Sequence, residues 1–222
     1  MTQAMSITAR LLALDTPTLS DALDKLGLPG AVAGLSSFTV RKPVAGRVRT
    51  VKLGPPLVGG PKRHLGTGTI LAAQPDDIIV VEHRGRTDVS GWGGLLSRAA
   101  LKKKVQGIII DGAFRDIDEA TEFGLPIYAR AAVPITARGR VSEHSYEEPV
   151  SIAGVLVQPG DVVLADGSGV VFIAAAQLEE VLAVADEIFR REQLMARDID
   201  RGVPLDEILG ANYEDMLKGE TA

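Results

Sequence analysis

Two short segments of this chain hold the groups whose types and spacing could do chemistry. Ser90-Gly91-Trp92-Gly93-Gly94 packs three glycines just before an apolar helical stripe that begins at Leu95. A helix start there presents free amides and the positive dipole end to an anion, and the missing Cβ atoms let that anion approach the backbone closely. Asp111-Gly112-Ala113-Phe114-Arg115-Asp116 follows. It supplies a guanidinium, suited to a two-point grip on a carboxylate or phosphate, next to a carboxylate that can hold a hard divalent cation. Together the segments describe a site for an anionic ligand with Mg²⁺ or a similar metal. Each half also has a plain reading. The glycines can be a tight turn into a helix, and Arg115 with Asp116 can be a surface ion pair whose acid favours a helix start.

The elements that must position these groups are legible in outline. The residue run 78–81 is uninterruptedly β-branched and 107–111 nearly so, as expected of strands buried on both faces. Between them, Leu95, Leu96, Ala99 and Ala100 make one stripe of a helix over 95–104, whose Lys102-Lys103-Lys104 end complements the C-terminal dipole. Residues 78–111 thus form a strand, helix, strand unit joined by a right-handed parallel crossover. Strand ends near Val81 and Asp111 then lie side by side, and ligands of open α/β sheets bind beside such edges. Upstream, Thr16 as N-cap and Pro17 at the first helical position open a helix that stops at Gly27. Strands are expected at 38–40 and 46–51, with Arg47 and Arg49 facing solvent or a partner subunit, and a helix over 65–73. Downstream come a short helix over 116–123, a strand at 125–129, and short strands between Gly and Pro turns over 133–174. Asp166-Gly167-Ser168-Gly169 reads as a hairpin turn. Helices at 177–197 and 204–209 and a short terminal piece finish the chain. The fold class is α/β in one domain, 1–222, with 176–222 as a helical C-terminal segment.

Composition removes most other chemistries. The 222 residues include no cysteine, which excludes disulfide frameworks, thiolate zinc sites, cysteine nucleophiles and iron–sulfur ligation. Any metal must sit on oxygen or imidazole. The net charge is −5, and one tryptophan, three tyrosines and five phenylalanines are too few for a base-stacking platform, so nucleic acid is not an expected partner. The longest strongly apolar run, 170–176, is far below the ~18 residues of a membrane span, and no compact apolar leader follows the N-terminus. The expectation is a soluble cytoplasmic protein without membrane partners.

With these residues in view, the chain resembles the RraA-like family that includes the 4-hydroxy-4-methyl-2-oxoglutarate/4-carboxy-4-hydroxy-2-oxoadipate aldolases. The likeness rests on Gly93-Gly94-Leu95-Leu96, Asp111-Gly112-Ala113, Arg115-Asp116 with Glu119, and Gly124-Leu125-Pro126. It extends from 16–22 to 165–171 and the C-terminal helix. The resemblance implies a swivelling β/β/α domain, assembled as a homotrimer or homohexamer with active sites at subunit interfaces. It further implies a Mg²⁺ or Mn²⁺ cofactor that takes a small 2-oxo acid through its keto and carboxylate oxygens. Carried over by position, Asp116 is the metal ligand and Arg115 holds pyruvate and steadies its enolate. The amides of Gly93, Gly94, Leu95 and Leu96 are the carboxylate cradle. Glu192 is similar in position to an acid that reaches a metal-bound water from the neighbouring subunit. Gly94 departs from the family, whose aldolases have an aspartate there, and this puts the substrate and proton route in doubt.

The implied activity is retro-aldol cleavage of a 4-hydroxy-2-oxo diacid to pyruvate, with oxaloacetate decarboxylation drawing on the same enolate. Cleavage also needs a base for the C4 hydroxyl proton, and none is assignable from sequence. His64, His83 and His144 lack metal-ligand spacing and read as surface or packed residues, while no lysine sits in an apolar strand where a Schiff base would form. Asp111 reads either as a loop-fixing residue or as a support behind the site. The rival class is a non-catalytic regulator binding a protein partner, as in the family branch that inhibits the endoribonuclease RNase E. That branch lacks the acid at the position of Asp116. A methyltransferase would need a nucleotide-binding G-x-G-x-x-G loop after a first strand, which Gly93-Gly94 does not supply.

Overall fold

The computed structural model describes residues 6–59 and 64–209. Helices α1 (Ile7–Leu11) and α2 (Thr16–Lys25) lead into the short strands β1 (Ala31–Val32) and β2 (Ser36–Ser37) and the long strand β3 (Val44–Gly54). Next come α3 (Thr67–Ala72), β4 (Ile78–Ser90), α4 (Gly94–Lys102), β5 (Gly107–Phe114), α5 (Ile117–Glu122) and β6 (Ile127–Ala132). Strands β7 (Ser142–Tyr146), β8 (Val150–Ile152), β9 (Val155–Val157), β10 (Val162–Ala165) and β11 (Val170–Ile173) follow. Helices α6 (Leu178–Asp200) and α7 (Leu205–Ile208) end the described chain. The expected terminal piece lies outside the described residues. No described helix is long and apolar enough to cross a membrane.

Nine strands form one sheet in the order β1-β11-β10-β3-β4-β5-β6-β2, with β7 added against β3, while β8 and β9 make a separate hairpin. Strands β3, β4, β5 and β6 are mutually parallel, and the flanking β10, β11, β1, β2 and β7 are antiparallel. This is the expected α/β architecture with a parallel strand, helix, strand core. Period-two alternation explains the continuous apolar runs. Ile79, Val81, Ile108 and Ile110 pack on one face with Leu96, Ala100 and Ala120 of α4 and α5, while Ile78, Val80 and Ile109 pack on the other with Val150, Ile152 and Val157 of the β8–β9 hairpin. A third cluster joins Leu19, Ala22 and Leu23 of α2 to Val181, Leu182, Ala185 and Ile188 of α6 over β10 and β11. The 3.6-residue spacing of those side chains is what turns one stripe of α6 inward.

Several sequence expectations shift. Asp15, not Thr16, caps α2: its Oδ1 accepts from Thr18 N at 2.9 Å. Thr16 instead donates N and Oγ1 to the Asp166 carboxylate at 2.8 and 2.7 Å, so the β10–β11 hairpin also anchors this helix. Residues 38–40 are not a strand. The Phe38 ring packs edge-on to Phe114, with centroids 5.6 Å apart, and the pairing falls on Ser36–Ser37. Arg49 does not face open solvent but bridges Asp77 at 2.7 Å and Glu147 at 2.8 Å; Arg47 is exposed as expected. Strands β4 and β5 run to Ser90 and Phe114, through residues that sequence alone reads as loops. Register shifts after Glu82 and Arg86 let the charged stretch bulge while the ladder continues.

Candidate active site

The two chemistry-bearing segments meet at the C-terminal ends of β4 and β5. Gly91 N donates to Ala113 O at 2.8 Å, and Arg115 N donates to Trp92 O at 3.1 Å, so main-chain bonds continue the pairing into both loops. Trp92 is buried, and its indole Nε1 donates to Ser97 Oγ at 3.1 Å, which ties the glycine loop to the helix it precedes. Asp116 stands at the start of α5 in the left-handed region, φ 65° and ψ 45°. A non-glycine residue there is strained by roughly 1–3 kcal/mol, and such strain gathers at functional sites. The strained backbone turns the carboxylate back toward α4, where Oδ2 accepts from Gly94 N at 2.8 Å and lies 3.4 Å from Arg115 Nε.

The glycines are explained by what fills their side-chain space. A Cβ on Gly93 would stand 2.9 Å from Asp116 Oδ2 and 3.2 Å from Arg115 Nε. A Cβ on Gly94 would stand 2.6 Å from Glu119 Cδ and closer still to Oε2. Neither position requires glycine for its backbone: Gly93 is extended and Gly94 helical, outside the positive-φ set. Both are small so that Arg115, Asp116 and Glu119 can press against the start of α4. Helical geometry leaves the first-turn amides of Leu95 and Leu96 without intrahelical acceptors. The Leu96 side chain is buried, whereas that of Leu95 is exposed at the rim.

These groups line a cavity of about 370 Å³, closed on its other sides by Leu57, His64, Leu65, residues 136–138, Val141, Ser142 and Glu143. The structure therefore brings Gly93, Gly94, Leu95, Leu96, Arg115 and Asp116 together, as their spacing suggested. It does not bring Glu192 to them. That side chain sits on α6 near Asp15 and Asp21, and its carboxyl is raised above the usual glutamate range by burial and then by those two negative charges. Asp111 points away from the cavity as well. Its carboxylate is buried, pairs with Arg130 Nε and accepts from Ala153 N at 3.0 Å, so it latches the β8–β9 hairpin onto the sheet, the loop-fixing alternative. Glu82 does the same for Ser151 N at 2.8 Å.

Of the histidines, His83 is packed; its ring is held below the usual imidazole pKa by burial, and Nε2 lies 2.8 Å from Val89 O. His144 is exposed. His64, read from sequence as an ordinary surface or packed residue, is on the cavity wall. Sequence reading also gave no role to Glu119 or Glu143. Glu143 is buried and accepts from Gly66 N at 2.7 Å, fixing the start of α3. From sequence Gly94 read as part of a turn into the helix, so nothing there pointed to Glu119; only its place as the first helical residue, with no positive φ, shows that the glycine makes room.

Among the described residues no three His, Asp or Glu side chains form a metal cage. The donor set is instead one carboxylate, Asp116, with Glu119 on the same wall. That fits an ion such as Mg²⁺, which keeps several waters and is held through one or two carboxylates plus substrate oxygens. Arg115, amide donors and a carboxylate suit a small anionic ligand better than a ring.

A family model described as RraA-like, Aldolase/RraA, matches residues 16–172. Protein DlpA of Legionella pneumophila is 27% identical over 89% of this chain, which spans 32% of the length of DlpA. The 4-hydroxy-4-methyl-2-oxoglutarate aldolase of Thermus thermophilus is 31% identical over 62% of this chain and 79% of its own. Among solved structures, Streptomyces coelicolor RraAS2, described as an unusual member of the RNase ES inhibitor RraA protein family, superposes with a TM-score of 0.79 at 26% identity. That match covers 88% of this chain and 97% of RraAS2.

Proposed function

The chain belongs to the RraA-like family, and on that premise we propose that it is a divalent-metal-dependent lyase releasing pyruvate from a 4-hydroxy-2-oxo diacid, with oxaloacetate decarboxylation as a second activity. The observation that carries this reading is the convergence of Arg115 and Asp116 on the Gly93 to Leu96 helix start inside one cavity. The name of the Thermus relative supports the substrate class.

The chemistry follows from the parts. Leu95 and Leu96 amides hold the carboxylate of the 2-oxo acid at the positive end of α4. Arg115 places a fixed positive charge beside the keto oxygen, where negative charge develops as the bond next to C3 breaks. Asp116, held in place by Gly94 N, is the residue that would hold Mg²⁺ or Mn²⁺, which when bound supplies Lewis-acid stabilisation of that charge. Leu57, Leu65, Leu96 and Val141 form the apolar part of the wall, which limits water around the enolate. Loss of CO₂ from oxaloacetate leaves the same enolate, so one electron sink serves both reactions. The apolar side chains Leu194, Ile199 and Leu205 exposed on α6 and α7 support assembly as a homotrimer or homohexamer, in which Glu192 approaches a neighbouring site.

A second reading, a non-catalytic protein-binding regulator, is favoured by the likeness to RraAS2. One assay separates the two. Pyruvate release from 4-carboxy-4-hydroxy-2-oxoadipate and oxaloacetate should require Mg²⁺ or Mn²⁺, stop with EDTA, and fall at least ~100-fold in Asp116→Ala. Undiminished turnover in metal-free buffer overturns the metal dependence. No turnover of any 2-oxo acid with either metal overturns the enzyme and leaves the regulator.

A further inference from the structure

We propose that this protein has a second binding site, at the opposite end of the sheet from the cavity described above, which takes the phosphate group of a small molecule through Arg41, Lys42 and Ser36. The site is a cavity of about 360 Å³. One wall is the segment 36–43, which crosses from β2, paired to β6, to the start of β3. Tyr128 of β6 and Gly167 of the β10–β11 turn supply the rest. The cavity thus lies where the parallel strands β3 and β6 begin, whereas Arg115 and Asp116 lie where β4 and β5 end. Its occupation does not depend on the lyase reading.

Consecutive side chains of an extended strand point to opposite sides, so Arg41 and Lys42 need a bend to line one cavity. Lys42 N donates to Val40 O at 2.9 Å, closing a three-residue turn on Arg41, and Ser37 Oγ donates to the same carbonyl at 3.2 Å. The segment is tied on its other side as well. Phe38 N donates to Ile127 O at 2.9 Å, while Thr39 Oγ1 donates to Leu125 O at 2.7 Å and accepts from Ile127 N at 2.9 Å. Tyr128 Oη stands 3.2 Å from both Lys42 O and Ala165 O, at the junction of the segment with β10. The wall is therefore ordered by its own bonds, which lowers the cost of binding a ligand.

What this wall lacks is negative charge. Arg49 bridges Asp77 and Glu147, Arg130 pairs with Asp111 and Arg10 with Glu179, but the side chains of Arg41 and Lys42 have no ion pair or hydrogen bond among the described residues. Two adjacent unpaired cations stand out in a chain with 29 acidic and 24 basic residues. No Asp or Glu is among the described residues that line the cavity. Asp166, next to Gly167, turns its carboxylate to Thr16 N, Thr16 Oγ1 and Ser168 N, from which it accepts at 2.8, 2.7 and 2.8 Å. Burial, and then the Asp166 charge, push the Tyr128 phenol up to about 12, so it stays neutral at pH 7. A doubly charged tetrahedral group matches these donors: the guanidinium offers a fork of N–H groups, the ammonium a point charge, and Ser36 a hydroxyl. The volume admits free phosphate or a small phosphate ester.

The test is isothermal titration calorimetry at pH 7 and low ionic strength with inorganic phosphate, glycerol 3-phosphate and malonate. Both phosphate compounds should bind saturably to the wild type and to Arg115→Ala, which removes the guanidinium of the other cavity. Arg41→Ala and Lys42→Ala should each weaken that binding at least ~10-fold, the loss expected of a charge-assisted contact. Position 167 provides a variant that leaves both cations in place. A Cβ there meets nothing within 4 Å and the φ is not positive, so a side chain is accommodated without strain. Gly167→Asp should weaken binding at least ~10-fold by repulsion, whereas the uncharged Gly167→Asn should stay within ~3-fold of the wild type. Tighter binding of glycerol 3-phosphate than of phosphate assigns the ester, and equal binding assigns free phosphate. Malonate bound as tightly as phosphate overturns the choice of phosphate. Binding that survives in R41A/K42A but is lost in Arg115→Ala puts the anion in the other cavity and overturns the site, as does the absence of saturable binding up to ~20 mM phosphate. None of these outcomes bears on pyruvate release, so the lyase reading stands or falls separately.

Discussion

Replacing Gly94 with alanine separates space from stability in a way few substitutions at a site can. The new Cβ would lie 2.6 Å from Glu119 Cδ and 3.3 Å from Oε1, so the carboxylate must leave its place. What moves is the far end of a flexible, half-buried side chain, and no backbone has to shift. Two stability terms then oppose each other. Alanine at a helical position reduces the entropy of the unfolded chain and gains roughly 0.4–1 kcal/mol. Displacing Glu119 loosens a 3.4 Å pair with Arg98, whose side chains are 38% and 59% exposed, worth about 0–1 kcal/mol. The net is within ~1 kcal/mol of zero, or about 2–4 °C in Tm for a domain of this size. Gly112 is the control. A Cβ there would meet the buried His83 ring at 2.6 Å and the Arg86 carbonyl oxygen at 2.8 Å, neither free to swing away, and such overpacking costs about 1–3 kcal/mol. Thermal melts followed by circular dichroism, together with pyruvate release coupled to lactate dehydrogenase, read both effects. Gly94→Ala should melt within ~4 °C of the wild type yet lose at least ~10-fold in pyruvate release, because the displaced Glu119 lies on the cavity wall with Asp116, whereas Gly112→Ala should melt several degrees lower. Wild-type cleavage in Gly94→Ala would refute the claim that this glycine exists to admit Glu119. A melting point lower by more than about 10 °C would show that the glycine serves packing instead.

Other outcomes follow from the buried polar ties. Asp111→Ala strips the partner from Arg130 and from Ala153 N, and breaking a buried pair costs ~3–5 kcal/mol. With 27% of the Arg130 side chain exposed, the lower end applies, so Tm should fall by about 6–12 °C; a fall below 2 °C would show that the hairpin does not need this latch. For Asp166, burial pushes the carboxyl up, but bonds from Thr16 Oγ1 and from the amides of Thr16, Ser168 and Gly169 outweigh it and leave the group below its usual value of 3.8. The folded protein thus binds this proton less readily than the unfolded chain. The stability it lends is full above about pH 4 and lost as pH falls through the depressed value, and acid melts of Asp166→Asn should lack that part of the slope.

The parallel core was readable because Ile78 to Val81 and Gly107 to Ile110 must be buried on both faces, and uninterrupted apolar runs of that length have few other uses. The ends of those strands were not readable. Glu82 to Ser90 is charged and half exposed, so side-chain pattern says loop, whereas backbone pairing with β5 makes it strand. Phe38 misled in the opposite sense: a large apolar residue in a β-branched setting marked a strand, but it is a plug on Phe114.

At the site, the sequence by itself determined the inventory. Without cysteine and with two adjacent glycines ahead of a helix, oxygen or imidazole ligands, a guanidinium and amides were on offer, and Arg115-Asp116 stood next to each other whatever the fold. Tertiary structure decided the contacts between groups far apart in the chain. Asp111 was open between fixing a loop and supporting the site until its carboxylate was found turned toward Arg130 and Ala153. Glu119 looked like one more helix acid until its carboxylate was found filling the side-chain space of Gly94. A residue's type is local, but the direction in which its side chain is aimed depends on strand register, a strained φ and the packing of one helix on another. None of these is carried by the residue itself.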